Sequence, residues 1–288
     1  MSEWKNVTVL GTGVLGSQIA YQTAYSGFDV VAFDIDATVL DEARQRFTGL
    51  ARTYVEQVDG AADGKADEAL ARVSYSSDLA EAVKDADLVI EAIPENFDIK
   101  KDTYTRLGEV APPKTIFATN SSTLLPSSLM EFTGRPEKFL ALHFANQVWI
   151  HNTAEVMGTE KTDPKVYQEV ADFASAIGMV PIEIKKEKAG YLLNSLLVPF
   201  LGAAGELVAD GIAEPEMIDK TWKIATGAPH GPFEIYDVVG LTTAYNISSA
   251  GGPKQQEFAR YLKENYIDEG KLGVATGEGF YKYPRDAT

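Results

Sequence analysis

The chain opens with short apolar runs that alternate with longer stretches in which apolar positions recur every three or four residues. Lys5 to Leu10 (K-N-V-T-V-L) has the pattern of a buried strand, and Ser17 to Tyr25 that of a helix ending at Ser26-Gly27. Val30 to Phe33 is a second apolar strand that ends on Asp34. Thr38 to Val58 is a long amphipathic helix, broken by D-G-A-A-D-G-K before a shorter helix at Ala66 to Ala71, which predicts a helical hairpin. The alternation continues with strand Val73 to Tyr75, helix Asp78 to Lys84, strand Asp87 to Ile93, helix Asp98 to Val110 and strand Thr115 to Thr119. It closes with strand Phe139 to Leu142, strand Ala154 to Met157, helix Asp163 to Ile177 and strand Val180 to Ile184. Strands alternating with helices predict an α/β fold, a mostly parallel sheet of Rossmann type with a helical hairpin inserted.

After Lys185 the period changes. K-K-E-K-A-G is a charged, glycine-ended link, followed only by helical patterns: Tyr191 to Asp210, Glu214 to Thr226, Leu241 to Ser249 and Gln255 to Glu264. The expected organisation is a nucleotide-binding domain over 1–186 and an all-helical domain over 187–288. Tyr191 to Phe200 is apolar almost all round except Asn194, whose amide makes either a cross-helix bond or a ligand contact.

Composition narrows the class. With 45% hydrophobic and 24% charged residues over 288 positions, the chain reads as an ordinary globular protein of one large or two moderate domains. No apolar run reaches the roughly eighteen residues a membrane span requires, so no membrane association is expected and the location reads as cytoplasmic. Having no cysteine excludes disulfides and thiolate chemistry, and only three histidines argue against a metal site. A net charge of −16 argues against nucleic acid as a partner, because that affinity comes largely from cations on phosphates.

The candidate chemistry starts at G-T-G-V-L-G, which sits between the first strand and the first helix. Gly11 allows the tight turn, Gly13 lets a pyrophosphate approach the backbone and Gly16 lets helix and strand pack; with Val14 and Leu15 they form a dinucleotide-binding candidate at a helix N-terminus. Asp34, at the end of the second strand, suits the two hydroxyls of an adenosine ribose and would repel a 2′-phosphate, which favours NAD over NADP. Glu95 and Ser122 follow the ends of later strands, where open parallel sheets bind ligands, although Ser121 and Ser122 also suit a helix N-cap. In L-H-F-A-N-Q-V-W-I-H-N-T-A-E-V-M, His143 and Glu155 are a candidate acid–base pair, since a carboxylate on one ring nitrogen fixes the tautomer of a proton-transfer histidine. A lone histidine beside an apolar run is also a common structural residue.

Several segments together resemble the 3-hydroxyacyl-CoA dehydrogenases in their short stand-alone form, which includes 3-hydroxybutyryl-CoA dehydrogenases. They are V-L-G-T-G-V-L-G-S-Q-I-A, V-I-E-A-I-P-E-N, F-A-T-N-S-S-T-L, L-H-F-A-N, A-G-Y-L-L-N-S-L-L-V-P, G-A-P-H-G-P-F-E-I-Y-D-V-V-G-L and G-E-G-F-Y-K-Y. The resemblance implies NAD as cofactor, His143 as general base, Glu155 as the carboxylate that orients it, and Ser122 and Asn194 beside the reacting substrate oxygen. It also implies cofactor contacts at Glu95, Lys100, Ser122 and Asn146. The implied reaction is hydride transfer between the nicotinamide and the carbon bearing a 3-hydroxyl group, on a short-chain acyl-CoA of fatty acid metabolism. Cleft closure between the domains and a homodimer follow from the same resemblance.

The chain departs from that pattern where the substrate is expected. The family usually reads H-F-F-N-P where this chain has H-F-A-N-Q, and the segment Val148 to Thr153 differs throughout. The hairpin, where the family clusters lysines, contains only Lys65 after Arg52, and the usual G-x-K-x-G reads Gly273-Val274-Ala275-Thr276-Gly277. One reading is an ordinary CoA enzyme that has drifted. Another is the same chemistry on a non-CoA 3-hydroxy acid, as in the related carnitine and gulonate dehydrogenases, with Trp149 and His151 in the pocket. A third is a catalytically idle NAD-binding protein. His230 reads as structural.

Overall fold

A computed structural model describes residues 4–283. The chain runs β1 (Asn6–Leu10), α1 (Val14–Tyr25), β2 (Asp29–Phe33), α2 (Ala37–Gln57), α3 (Lys65–Ala71), β3 (Val73–Ser76), α4 (Leu79–Val83), β4 (Leu88–Glu91), α5 (Phe97–Val110) and β5 (Ile116–Thr119). Then follow β6 (Phe139–Phe144), β7 (Thr153–Gly158), α6 (Pro164–Ala176) and β8 (Val180–Ile184). The eight strands form one sheet in the order β3-β2-β1-β4-β5-β6-β7-β8, parallel throughout except where β6 meets β7. Every residue of β4, β5 and β6 is buried, as expected of central strands covered on both faces by crossover helices.

Two apolar clusters account for that burial. One gathers Val7 and Val9 of β1 with Ile19, Tyr21, Phe47, Tyr54 and Phe173, and the other gathers Val89 and Phe117 with Leu79, Tyr104, Leu107 and Phe139. The α2–α3 hairpin docks on α1 through Tyr21 and Tyr54, whose rings meet edge to face at 4.7 Å, and the Tyr21 hydroxyl donates to the Ala66 carbonyl at 2.9 Å.

The described residues divide into two compact units between Leu192 and Leu193, beyond the link at 185–190. Residues 193–283 contain α7 (Leu193–Ala209), α8 (Pro215–Thr226), α9 (Pro232–Val239), α10 (Leu241–Ser249) and α11 (Pro253–Asn265). Their core is Leu201, Phe233, Tyr236, Phe258 and Leu262. Helix α9 was not expected from periodicity, being only 8 residues long. Capping chemistry marks it instead: Pro232 opens it, Glu234 accepts from the Gly231 N–H, and buried Asp219 accepts from the Phe233 and Glu234 N–H groups. Asp237 then ties the C-terminal turn down, accepting from the Phe280 and Tyr281 N–H groups and the Tyr283 hydroxyl. No helix of the described residues is long and apolar enough to cross a membrane.

Candidate active site

The turn after β1 carries the glycine motif, and each glycine has a distinct steric reason. Gly11 adopts φ +92°, and a Cβ there would lie 2.6 Å from the Ala92 carbonyl oxygen; one at Gly16 would lie 2.1 Å from the Gly11 oxygen. Gly13 is the opposite case. A Cβ there would meet nothing within 4 Å, so the missing side chain leaves open space at the N-terminus of α1, whose first turn contains no acidic residue. A cleft of about 320 Å³ opens there, lined by Gly13, Val14, Leu15, Gly16, Ala92, Ile93, Glu95, Lys100, Asn120 and Ser122. Free helix N–H groups and a bare backbone approach fit a dinucleotide pyrophosphate. Asp34, at the end of β2, binds the turn itself: Oδ2 accepts from the Thr12 N–H at 2.7 Å and hydroxyl at 2.6 Å, and Oδ1 from the Ile35 N–H. A carboxylate offers about four lone-pair sites, so this use leaves capacity for a ribose hydroxyl.

His143 lies within β6 rather than just past its end, because the strand runs on to Phe144. Antiparallel register sets it directly opposite Glu155 of β7. Its Nδ1 is 2.9 Å from Glu155 Oε2, its Nε2 is 3.0 Å from Ser122 Oγ, and the ring stacks on Tyr191 with centroids 4.3 Å apart and planes 10° apart. A carboxylate only accepts, so Nδ1 carries the hydrogen and Nε2 is the acceptor aimed at Ser122. The Leu192 N–H supports Glu155 through the other oxygen at 2.8 Å. His143 and Glu155 are both buried.

Beneath Ser122 lies a charged cluster only partly visible in the sequence. Fully buried Glu91 has no signal in the sequence, where V-I-E-A-I reads simply as a strand. Its Oε1 accepts from Lys100 Nζ at 2.5 Å and the Ile93 N–H, and its Oε2 from the Tyr104 and Thr119 hydroxyls. Lys100 also lies 3.5 Å from Glu95. Glu95 Oε1 in turn gathers the Ser121 hydroxyl at 2.6 Å, the Thr123 hydroxyl at 2.7 Å and the Thr123 N–H at 2.8 Å. Burial works to raise the Glu95 carboxyl, but the Ser121 and Thr123 hydrogen bonds and the Lys100 charge outweigh it and hold it at about 2.

Of the remaining predicted residues, those of the first unit lie apart from this cluster. Asn146 is exposed on the turn between β6 and β7 and does not line the cleft. Trp149 packs on Tyr54 at 5.5 Å, its indole N–H donates to Gln57 at the edge of the hairpin core, and it does not line the cleft at Gly13. His151 is exposed. Gln147 has φ +58°, and its N–H donates to Gln18 Oε1 at 2.7 Å. Asn194 lies in the first turn of α7, in the second unit.

Both halves of the chain have counterparts among known proteins. Residues 6–188 match the family profile described as 3-hydroxyacyl-CoA dehydrogenase, NAD binding domain, and residues 190–283 match that of the 3-hydroxyacyl-CoA dehydrogenase C-terminal domain. The chain is 36% identical to the mitochondrial hydroxyacyl-coenzyme A dehydrogenase of Homo sapiens, covering 97% of this chain and 91% of that protein. It is 34% identical to a probable 3-hydroxybutyryl-CoA dehydrogenase of Deinococcus radiodurans, covering 96% and 99%. Among solved structures it is similar to a diketoreductase described in the substrate-directed dual catalysis of dicarbonyl compounds, with 73% identity, TM-score 0.96 and coverage of 98% and 100%. With both halves matched and the glycine turn in place, the chain belongs to the 3-hydroxyacyl-CoA dehydrogenase family of NAD-binding oxidoreductases.

Proposed function

We propose that the protein interconverts a 3-hydroxy and a 3-keto group on a dicarbonyl-type substrate, with His143 as the acid–base group. The observation that carries this reading is the imidazole held between Glu155 at Nδ1 and Ser122 at Nε2. In oxidation Nε2 takes the hydroxyl proton, and Glu155 stabilises the imidazolium that results; in reduction the same nitrogen returns the proton. A positioned base of this kind contributes roughly 10²–10⁴-fold in rate. Bound NAD supplies the hydride chemistry. Ser122 and Asn194 are assigned to the partial negative charge on the substrate oxygen. Gly11, Gly13, Val14, Leu15 and Gly16 are assigned to the pyrophosphate, Asp34 to the adenosine ribose, and Glu95, Lys100 and Asn146 to further cofactor contacts, Asn146 from the exposed turn outside the cleft.

A 3-ketoacyl thioester is itself a 1,3-dicarbonyl, so a CoA substrate and a free diketone share the reacting unit and differ in what is attached to it. Two observations favour the substrate without CoA. One is the 73% identity to a diketoreductase. The other is the hairpin, whose lysine, Lys65, lies over the Tyr25 ring with Nζ 4.1 Å from its centroid. The CoA reading draws on the relatives at 36% and 34% identity.

NADH oxidation with pentane-2,4-dione, ethyl acetoacetate and acetoacetyl-CoA tests the assignment. We expect kcat/KM to be at least tenfold higher for a free dicarbonyl; preference for acetoacetyl-CoA returns the protein to the acyl-CoA reading, and reduction of none of the three rejects the reaction. Exposed Leu196, Ile212 and Ile224 on the helical unit support a homodimer, which sedimentation equilibrium would detect as twice the 31.3 kDa chain mass.

A further inference from the structure

We propose that Gly190-Tyr191-Leu192 is a strap that positions the site residues of the first unit, with Tyr191 as its principal positioning residue; this rests on the reading of His143 as the acid–base group. Three consecutive residues each hold a different part of the site. The Gly190 N–H donates to the Ser122 carbonyl at 3.2 Å, the Tyr191 hydroxyl donates to the Ser121 carbonyl at 2.7 Å, and the Leu192 N–H donates to Glu155 Oε1 at 2.8 Å. Between them the Tyr191 ring lies flat on the imidazole. His143 is thus fixed at Nδ1 by Glu155, at Nε2 by Ser122 and on one face by Tyr191, and the strap touches all three fixtures.

Core filling alone does not explain this arrangement. Tyr191 has φ +51°, a left-handed conformation unfavourable for a residue with a Cβ, and Gln147 is the only other such non-glycine residue described. Its apolar neighbours, Leu125, Ala141, Met157 and Ile184, pack on the ring and have no use for the hydroxyl. Only a tyrosine both stacks on the imidazole and reaches the Ser121 carbonyl. Burial raises the Tyr191 hydroxyl well above its ordinary value, which keeps it a donor across the working pH range. A flat aromatic face opposes rotation of the imidazole about χ2, so the tautomer that leaves Nε2 free toward Ser122 is retained. A positional error near 1 Å at a reacting group costs on the order of 10²-fold in rate.

The test uses Tyr191→Phe, Tyr191→Leu and His143→Ala in the full chain. Fluorescence titration reads NADH binding, NADH oxidation with ethyl acetoacetate and acetoacetyl-CoA reads turnover, and ¹⁵N NMR of histidine-labelled protein reads the tautomer. Three histidines in the sequence make the His143 signals assignable. In the wild type we expect a single Nδ1–H tautomer. Tyr191→Leu should mix the tautomers and lower kcat about 100-fold, with KM and the NADH Kd within about twofold of wild type. Tyr191→Phe should keep the tautomer and lower kcat about tenfold. A wild-type kcat in Tyr191→Phe overturns the proposal, whether or not the leucine variant folds; so does an unmixed tautomer in folded Tyr191→Leu. Turnover retained by His143→Ala would instead reject the underlying acid–base assignment.

Discussion

His143 and Glu155 are register partners across the antiparallel pair β6 and β7, and their side chains meet at 2.9 Å on the same face of the sheet. A slip of one residue would turn one of them to the opposite face, so the pairing that builds the sheet also builds the acid–base pair. Glu155→Gln is therefore expected to fold and to bind NADH with unchanged Kd. Its amide can donate as well as accept, which removes both the tautomer constraint and the charge opposite the imidazolium. Steady-state kinetics should show kcat lowered about 10²–10⁴-fold; a variant within threefold of wild type would remove Glu155 from the mechanism.

Asp34 has two tasks, holding Thr12 at the turn and accepting from the ribose. Asp34→Ala removes charge-assisted hydrogen bonds worth about 1.5–3 kcal/mol each, so the NADH Kd should rise by roughly 10–100-fold. NADPH binding should weaken less, because the charge that repels a 2′-phosphate is also removed. The ratio of the two dissociation constants, measured by fluorescence titration, is the discriminating quantity.

Lys100→Met isolates the contribution of the buried pair. It leaves the fully buried Glu91 carboxyl beside three neutral donors without its cation, and breaking such a pair costs about 3–5 kcal/mol. Urea unfolding should register that loss, and Glu91→Gln in the same chain should recover part of it. If Lys100→Met alone is as stable as wild type, the cluster does not hold the Ser121 to Thr123 segment.

Acid stability follows from Glu95. Its folded value of about 2 lies below the ordinary carboxylate value of 4.5, so its stabilising contribution is complete above pH 4.5 and is lost as pH falls toward 2. Glu95→Gln should therefore flatten the pH dependence of stability between 4.5 and 2 while lowering stability at pH 7. Its exposure moderates the size of the effect. Circular dichroism during acid titration would reveal it, and an unchanged acid limb would exclude the assignment.

The first unit was legible because its cues are local: apolar runs, a glycine turn at a strand end, an acid at the next strand end. The His143, Glu155 and Ser122 set was legible as residues, through the resemblance to a family, although the register that joins the first two is set by the tertiary sheet. Glu91 was hidden because a carboxylate in an apolar strand gives no sign of its partners. Tyr191 reads as the start of a helix, since an aromatic beside Leu192 and Leu193 fits a helical face, and nothing in the sequence signals its left-handed backbone. Helix α9 was too short to show a period, yet Gly-Pro-Phe-Glu contained its capping signals.

Gln147 bears on how this protein differs from its relatives. Its φ of +58° and its N–H bond to Gln18 are both denied to proline, whose ring fixes φ near −65° and removes the hydrogen. The proline usual in the family therefore cannot be restored by one substitution without redirecting the whole connection from Ala145 to Thr153. A graft from a relative is therefore expected to need residues 145–153 and residue 18 together, and substrate preference should travel with that block rather than with any one side chain in it.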